Sequence, residues 1–242
     1  MSTTLCFDFG NTRKKVAVFK KSSLQEVIVL NNDADQTISD LVSKFKPTKS
    51  ILSSVIDHNP GLESQLSASS KFHKLNHLTR LSFTTPVGKP ETIGADRLAL
   101  CAAAVRFYPK KNNLIIGMGT CITYNFINKY HEFLGGGISP GLEMRLRAMH
   151  EFTAKLPLVK PDSNVPLMGY DTNTNMLSGA VLGMAKEIDG FVDLYQEKYG
   201  NFNVLLTGGD IVFLASHLKK KIFADPELIF KGLYAISEVN NP

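Results

Sequence analysis

The sequence predicts an α/β protein made of two duplicated lobes, each a mixed sheet flanked by helices. Residues 6–15 read C-F-D-F-G-N-T-R-K-K, an apolar strand running into a Gly-Asn-Thr turn with a second apolar stretch directly after it. Residues 114–126 read L-I-I-G-M-G-T-C-I-T-Y-N-F and repeat that pattern. Gly10 and Gly119 fall at matching places, and Thr12 and Thr120 follow them, with one residue fewer in the second copy. Self-similarity of this kind is a stronger signal than either motif alone. Two such halves can face each other across a cleft and grip one phosphate chain. The lobes divide near residue 112, where 110–113 break both periodicities, giving 1–112 and 113–242.

The first lobe opens with strands expected at 3–9, 14–20 and 25–30. Ile38, Leu41, Val42 and Phe45 recur at helical spacing, so 33–45 reads as a helix. A short buried strand at 51–55, a helix at 60–70 and a strand at 72–75 follow. Pro86, Gly88 and Pro90 leave 79–93 as a loop. Loops of that length in compact domains are often functional. Gly94 opens a helix at 95–108 with the stripe Leu98, Ala102, Val105 and Tyr108, and Pro109 stops it.

The second lobe has its strand pair at 114–126, a short strand at 132–134 and a Gly-Gly-Gly-Ile-Ser-Pro-Gly segment at 135–141. A helix at 142–152, a Pro-rich stretch at 157–166 and a long helix at 175–199 come next. A strand at 203–207, a short helix at 211–218, a strand near 222–223 and a helix at 226–238 complete the chain.

With 242 residues, 43% of them hydrophobic, the chain can bury real cores. Twenty-seven basic against 22 acidic side chains leave a net charge of +5, which suits small anionic substrates. No basic stripe with interleaved aromatics argues for nucleic acid, and Lys219–Lys221 reads as a solvated helix end. Cys6, Cys101 and Cys121 sit in apolar stretches, at spacings that fit neither a disulfide framework nor a zinc site. They read as small buried hydrophobes in a reducing cytoplasm. Asp8 and Arg13 interrupt the early apolar run, so no signal peptide is expected, and no apolar stretch reaches the roughly 18 residues of a membrane span. The six histidines show no metal-ligand spacing. Met176, Met184, Phe191 and Tyr195 read as core or dimer contacts.

The Asp8–Lys15 turn concentrates what a nucleoside triphosphate needs. Gly10 lets backbone approach a phosphate, Asn11 and Thr12 add short polar groups, and Lys15 can reach phosphate oxygens. Asp8 can hold a hydrated Mg2+, which prefers one or two carboxylates plus phosphates and water. An ordinary hairpin turn is the plainer reading, since Asn and Gly dominate such turns for conformational reasons. The Thr207-Gly208-Gly209-Asp210 turn reads as a further nucleotide contact, near the adenosine. Gly94-Ala95-Asp96-Arg97 places an acid and a guanidinium at a helix start. From spacing alone, Asp96 reads first as a helix-capping acid and Arg97 as a surface ion pair. The alternative is a base for a substrate hydroxyl beside an anchor for a substrate carboxylate. Three consecutive glycines at 135–137 suggest close backbone approach to a ligand or to another chain.

Taken together, these motifs resemble the type III pantothenate kinases. That family belongs to the actin/hexokinase/Hsp70-like nucleotide-binding superfamily, whose paired ribonuclease H-like lobes enclose a nucleotide cleft. The resemblance spans nearly the whole chain. It rests on Asp8-x-Gly10-Asn11-Thr12-x-x-Lys15, Pro90-x-x-x-Gly94-x-Asp96-Arg97, Gly119-Thr120-x-x-Thr123, Gly136-Gly137-Ile138-Ser139-Pro140-Gly141 and Thr207-Gly208-Gly209. It implies ATP-dependent phosphorylation of pantothenate, the first step of coenzyme A synthesis, by a cytoplasmic homodimer. Asp96 would be the general base. Val87, Gly94, Ala95, Asp96, Arg97 and Thr172 would contact pantothenate, Thr172 from a partner subunit. Asp8, Phe9, Gly10, Asn11, Thr12, Arg13, Lys14, Lys15 and Thr120 would bind ATP, with Mg2+ held through Asp8 and the phosphates.

Three positions depart from the family pattern. Gly117 stands where the family carries an acid that helps bind a monovalent cation (K+ or NH4+), Asn125 stands for a second acid, and Val87 for a tyrosine. Two further functions therefore stay open at the level of sequence. One is a non-catalytic regulator that binds nucleotide or pantothenate; the other is a kinase for another small hydroxy acid.

Overall fold

The structure, a computed structural model, describes residues 2–220 and 222–241. Two five-stranded sheets organise the chain, which divides into two compact units. The first unit gathers Met1–Lys110, Ile127–Leu134 and Glu227–Pro242; the second gathers Lys111–Phe126 and Gly135–Pro226.

In the first unit, β1 (Thr3–Phe9), β2 (Lys14–Lys20) and β3 (Ser23–Leu30) form an antiparallel meander. β4 (Lys49–Ser54) joins β1 in parallel, and β5 (Lys71–Lys74) joins β4 in parallel, for the order β3-β2-β1-β4-β5. Side chains alternate along each strand. Leu5, Phe7, Phe9 and Leu52 therefore enter a core with Ile38 and Leu41 of α1 (Asp35–Phe45) and Leu62 and Leu66 of α2 (Pro60–Ser69). The even positions of β1, Cys6 and Asp8, share the opposite face with Ile51 and Ser53 of β4. Two helices pack against each other in this unit, α3 (Ala95–Phe107) and the last helix, α7 (Leu228–Asn240), and α7 lies on β1 and β4. The loop at 79–93 contains one 3-10 turn, Pro90–Thr92, and pairs through Thr84 with Glu132.

In the second unit, β6 (Asn112–Met118), β7 (Cys121–Ile127), β8 (Phe133–Pro140), β9 (Phe202–Gly208) and β10 (Phe223–Ala224) take the order β10-β9-β6-β7-β8. Both β10 and β6 run parallel to β9. Read from the other edge, β8-β7-β6-β9-β10 repeats the chain order of β3-β2-β1-β4-β5. The duplication suggested by two glycine turns thus extends to five strands per unit. Leu114, Ile116 and Met118 of β6 and Val204 and Leu206 of β9 pack on α5 (Thr172–Tyr199) and α6 (Ile211–Leu214). The α5 residues singled out in the sequence belong to this core. Met176 and Met184 are buried, Phe191 stacks on Tyr124, and Tyr195 on Phe126.

Two expectations need correction. The glycine-rich segment is not a connector after a three-residue strand: β8 runs straight through it to Pro140. Gly136 answers close approach within the chain itself, because a Cβ there would lie 1.8 Å from the Tyr124 carbonyl oxygen on the neighbouring strand. The helix expected at 211–218 is one α turn, α6, continued by a 3-10 turn at Ala215–His217. α4 (Leu142–Glu151) follows β8.

Candidate active site

At the end of β1 the Gly10 N–H donates to the Arg13 carbonyl at 3.1 Å, closing a turn that leaves Asn11, Thr12 and Arg13 exposed. The period-two alternation then assigns the neighbours. Phe9 is fully buried, edge-on to Phe7 at 6.1 Å and to His58 at 6.1 Å, so only its backbone can reach a ligand. The Lys14 ammonium donates to Asp33 at 2.6 Å and lies 5.7 Å from the Phe9 ring centre. Burial tends to raise the Asp33 carboxyl, but Lys14 and the Asn59 N–H hold it below the usual carboxylate range. Of the two adjacent lysines, then, Lys14 is committed to a structural ion pair. Lys15 pairs with Asp8 across β1 and β2 and shares its face.

That face gathers the chemistry of the first unit. Burial pushes the Asp8 carboxyl up to about 7; the negative charge of Asp96 adds to the rise and Lys15 opposes it. Directly across the parallel β1–β4 pair sits Ser53, 1% exposed, whose hydroxyl has no hydrogen-bond partner in the structure. Sequence reading placed Ser53 in a buried strand and assigned it nothing. The available signal was a hydroxyl at the C-terminal end of an apolar strand that runs parallel to the Asp8 strand.

Helix α3 starts with Gly94 at its N-cap, a residue with no side chain to cap the first turn. The Asp96 side chain folds back over Gly94, where a Cβ would lie 2.5 Å from Asp96 Oδ1. Burial raises the Asp96 carboxyl, while the backbone N–H groups of Arg97 and Asp96 and the Arg97 guanidinium pull it partly back. The Asp96 carboxyl thus engages helix N–H groups at the start of α3. The Arg97 guanidinium lies 5.5 Å from the Phe133 ring centre, on its face. Ala95 is buried, and Val87 is half-buried in the preceding loop.

In the second unit the equivalent turn is shorter. The Gly119 N–H donates to the Cys121 carbonyl at 3.1 Å, leaving Gly119 exposed and Thr120 half-exposed. Cys121 is likewise half-exposed, in contrast to the buried Cys6 and Cys101. The turn is braced from behind by Gly141, whose N–H donates to the Thr120 carbonyl at 3.0 Å. Past it, α4 and α5 are joined by a polar cluster in which Glu187 accepts from Tyr124 at 2.8 Å, from Ser139 and from Arg145. Gly117 pairs with Thr207, a second buried hydroxyl without a partner. Asn125 is fully buried, and its amide donates to the Ile115 carbonyl at 3.2 Å and to the Thr123 hydroxyl at 3.2 Å. β9 ends in the predicted Thr207-Gly208-Gly209 turn. Thr172 is exposed as the first residue of α5, next to an Asp171–Thr174 capping box.

Two sheets of matching strand order, each with a glycine turn at the end of its central strand, define a duplicated α/β architecture. Solved structures of that architecture match over nearly the whole chain. They include the Clostridium difficile activator of 2-hydroxyisocaproyl-CoA dehydratase with bound ADPNP (TM-score 0.52, 12% identity, 99% of this chain and 96% of that one). A glucokinase from an Antarctic psychrotroph scores 0.52 at 11% identity, covering 99% of both chains. A Campylobacter jejuni protein assigned to the Baf family of transcriptional activators scores 0.61 at 24% identity, covering 98% of both. At these identities the likeness is one of fold.

Sequence relatives narrow the class. Residues 4–194 match the type III pantothenate kinase family model. The type III pantothenate kinase of Christiangramia forsetii is 42% identical over 238 residues, covering 98% of both chains. That of Bacteroides fragilis is 40% identical at the same coverage. The chain belongs to the type III pantothenate kinases.

Kinases of this family use ATP with a divalent metal ion. The residues on the Asp8 face fit such an ion: a carboxylate that burial leaves short of compensating charge, and beside it a buried hydroxyl with nothing to bond.

Proposed function

We propose that this chain transfers the γ-phosphoryl group of ATP to the hydroxyl of pantothenate, giving 4'-phosphopantothenate and ADP. The observation that carries the reading is Asp96, a carboxylate with a raised pKa, held in one rotamer by a helix N-terminus and placed beside Arg97. A base tuned upward is matched to its task, and such a base contributes about 10²–10⁴-fold. Asp96 takes the proton of the attacking hydroxyl as the new P–O bond forms and the bond to the ADP oxygen breaks. Arg97 supplies a guanidinium fork for the pantothenate carboxylate. Gly94, Ala95 and Val87 shape that end of the site, and Thr172 contributes from the partner of a homodimer.

On the nucleotide side, the Gly10–Arg13 turn offers backbone N–H groups and Lys15 offers charge, and the Gly119–Thr120 turn offers the same kind of donors. Lys14 supports this indirectly by tying β2 to Asp33. Asp8 would hold Mg2+, which when bound would neutralise phosphate charge. Positioning and charge neutralisation supply most of the rate in such transfers.

For the monovalent cation we infer independence. The Asn125 amide donates to the Ile115 carbonyl and the Thr123 hydroxyl, and so satisfies oxygen atoms that a K+ or NH4+ ion would otherwise draw on. A homodimer is supported by Leu167, Met168 and Tyr170, each more than four-fifths exposed immediately before α5. Sedimentation at micromolar concentration reads it directly. No helix of the described residues is long and apolar enough to cross a membrane. A cytoplasmic enzyme is the setting in which ATP and pantothenate meet.

Relatives of 40% identity and above that match end to end carry the pantothenate kinase name, which leaves the regulator and the other-acceptor readings without support. The test is ADP release from purified protein with ATP, Mg2+ and pantothenate. Pantothenate-dependent release that vanishes in Asp96→Asn is expected. Normal ATP binding with no pantothenate-dependent turnover overturns the proposal.

A further inference from the structure

Only two buried side-chain atoms among the described residues lack any hydrogen-bond partner, Ser53 Oγ and Thr207 Oγ1. They occupy the same position in the two units. Ser53 on β4 pairs with Asp8 on β1, and Thr207 on β9 pairs with Gly117 on β6. Asp8 and Gly117 each precede their turn glycine, Gly10 and Gly119, by two residues. The residue before each hydroxyl provides an independent check on the register. The Leu52 carbonyl accepts from the Leu75 N–H at 2.9 Å, and the Leu206 carbonyl accepts from the Asp225 N–H at 2.9 Å.

A buried hydroxyl without a partner costs about 1–3 kcal/mol. Finding the only two such groups at one position of a duplicated fold points to a shared cause. Each hydroxyl lies at the C-terminal end of a parallel strand, where ligands of open α/β sheets bind. Paired residues of neighbouring strands present their side chains to the same face. Ser53 therefore lies on the face that carries Asp8 and receives the charge of Asp96, away from Phe7 and Phe9.

We propose that Ser53 is a positioning residue whose hydroxyl hydrogen-bonds a water of hydration on the divalent cation held by Asp8. A hydrated Mg2+ keeps several waters, and their outward hydrogens need acceptors. A neutral hydroxyl accepts from such a water while its own proton is directed to the Asp8 carboxylate. Thr207 is the internal contrast. Its strand partner is Gly117, so it has no carboxylate to share a cation with, and its hydroxyl is left for nucleotide or water. This inference rests on the kinase reading only in taking the cation to enter with ATP.

The test compares Ser53→Ala and Thr207→Val with the wild-type chain by titrating a non-hydrolysable ATP analogue at a series of Mg2+ concentrations and in EDTA. Ser53→Ala is expected to raise the half-saturating Mg2+ concentration about 10- to 150-fold, the equivalent of one hydrogen bond to a charged centre. Its affinity in EDTA should stay unchanged, and its melting temperature without ligand should equal or exceed that of the wild type. Thr207→Val is expected to leave the Mg2+ dependence unchanged. A wild-type Mg2+ dependence in Ser53→Ala overturns the proposal, as does an equal loss with and without Mg2+, or a fall in ligand-free stability that marks the hydroxyl as structural. Nucleotide binding by the wild-type chain with no Mg2+ dependence overturns both this inference and the cation in the parent reading. Failure of pantothenate turnover alone, with the Mg2+ dependence intact, overturns only the parent.

Discussion

Gly141 and Gly119 touch backbone to backbone: a Cβ on Gly141 would lie 2.0 Å from the Gly119 carbonyl oxygen. No real Cβ tolerates that distance, and the obstacle is main chain that cannot rotate away. Gly141→Ala must therefore move the Gly119–Thr120 turn or the start of α4. Overpacking of this kind costs about 1–3 kcal/mol, and here the strain falls on the turn proposed to bind phosphate. We expect a folded protein with a lower melting temperature and at least tenfold weaker binding of an ATP analogue. Wild-type affinity in this variant would show that the turn is not held from behind.

Asp8→Asn should stabilise the ligand-free protein. The folded pKa of Asp8, about 7, stands above its ordinary value of 3.8. The native state thus holds the proton more tightly than the unfolded chain. That contribution favours folding below pH 3.8 and is lost as pH rises through 7. Above pH 7 the half-buried carboxylate costs up to about 4 kcal/mol, taking 1.36 kcal/mol per unit. Thermal unfolding at pH 8 should show Asp8→Asn melting above wild type, with the gap closing toward pH 4. Mg2+ with an ATP analogue should reverse the order. An Asp8→Asn protein less stable than wild type at pH 8 without ligand would contradict this account.

Gly94→Ala tests how the proposed base, Asp96, is aimed. The added methyl would meet Asp96 Oδ1 at 2.5 Å, and a carboxylate can swing aside where backbone cannot. The fold should survive with little change in melting temperature. The kcat should fall about 10²-fold through misplacement alone, with the KM for ATP nearly constant. Asp96→Asn should fall further, by up to about 10⁴-fold. Equal kcat in Gly94→Ala and wild type would mean that the back-folded rotamer is not the working one.

Asn125→Asp exchanges an amide donor for a carboxylate facing the Ile115 carbonyl and the Thr123 hydroxyl. Charge and carbonyl oxygen repel, and burying an unpaired charge is costly. The variant should lose stability in buffers whose only cation is a bulky organic amine and recover it in K+. The parent chain should turn over equally well in both. K+-dependent turnover of the parent chain would refute the cation independence inferred from this amide.

Much of the first unit was legible in the sequence because its signals are local. Glycine and proline punctuation marked the turns, short apolar runs marked β1, β2 and β4, and the Gly94–Arg97 helix start carried its own acid. What escaped depends on contacts distant in sequence. β8 read as a strand of only three residues because glycine disfavours strands locally, and its neighbour at Tyr124 explains why the strand runs on through Gly136. The separate fates of Lys14 and Lys15 turn on Asp33, nineteen residues from Lys14, and on the face each lysine takes in β2. Ser53 carries no motif at all. Its meaning comes from lying opposite Asp8, a pairing that exists only once β4 has joined β1.

Helix α7 adds a consequence for biosynthesis. Its buried residues Leu228, Phe230, Leu233 and Ile236 close the first unit, and Asn241 ties it to the Ser50 carbonyl at 3.2 Å. These residues leave the ribosome after every strand of the second sheet. A nascent chain halted before residue 227 would carry its earliest-made lobe uncapped, with Cys6 and Ile51 open to aggregation and to proteases. The lobe synthesised first is therefore the one that must wait longest for its last piece.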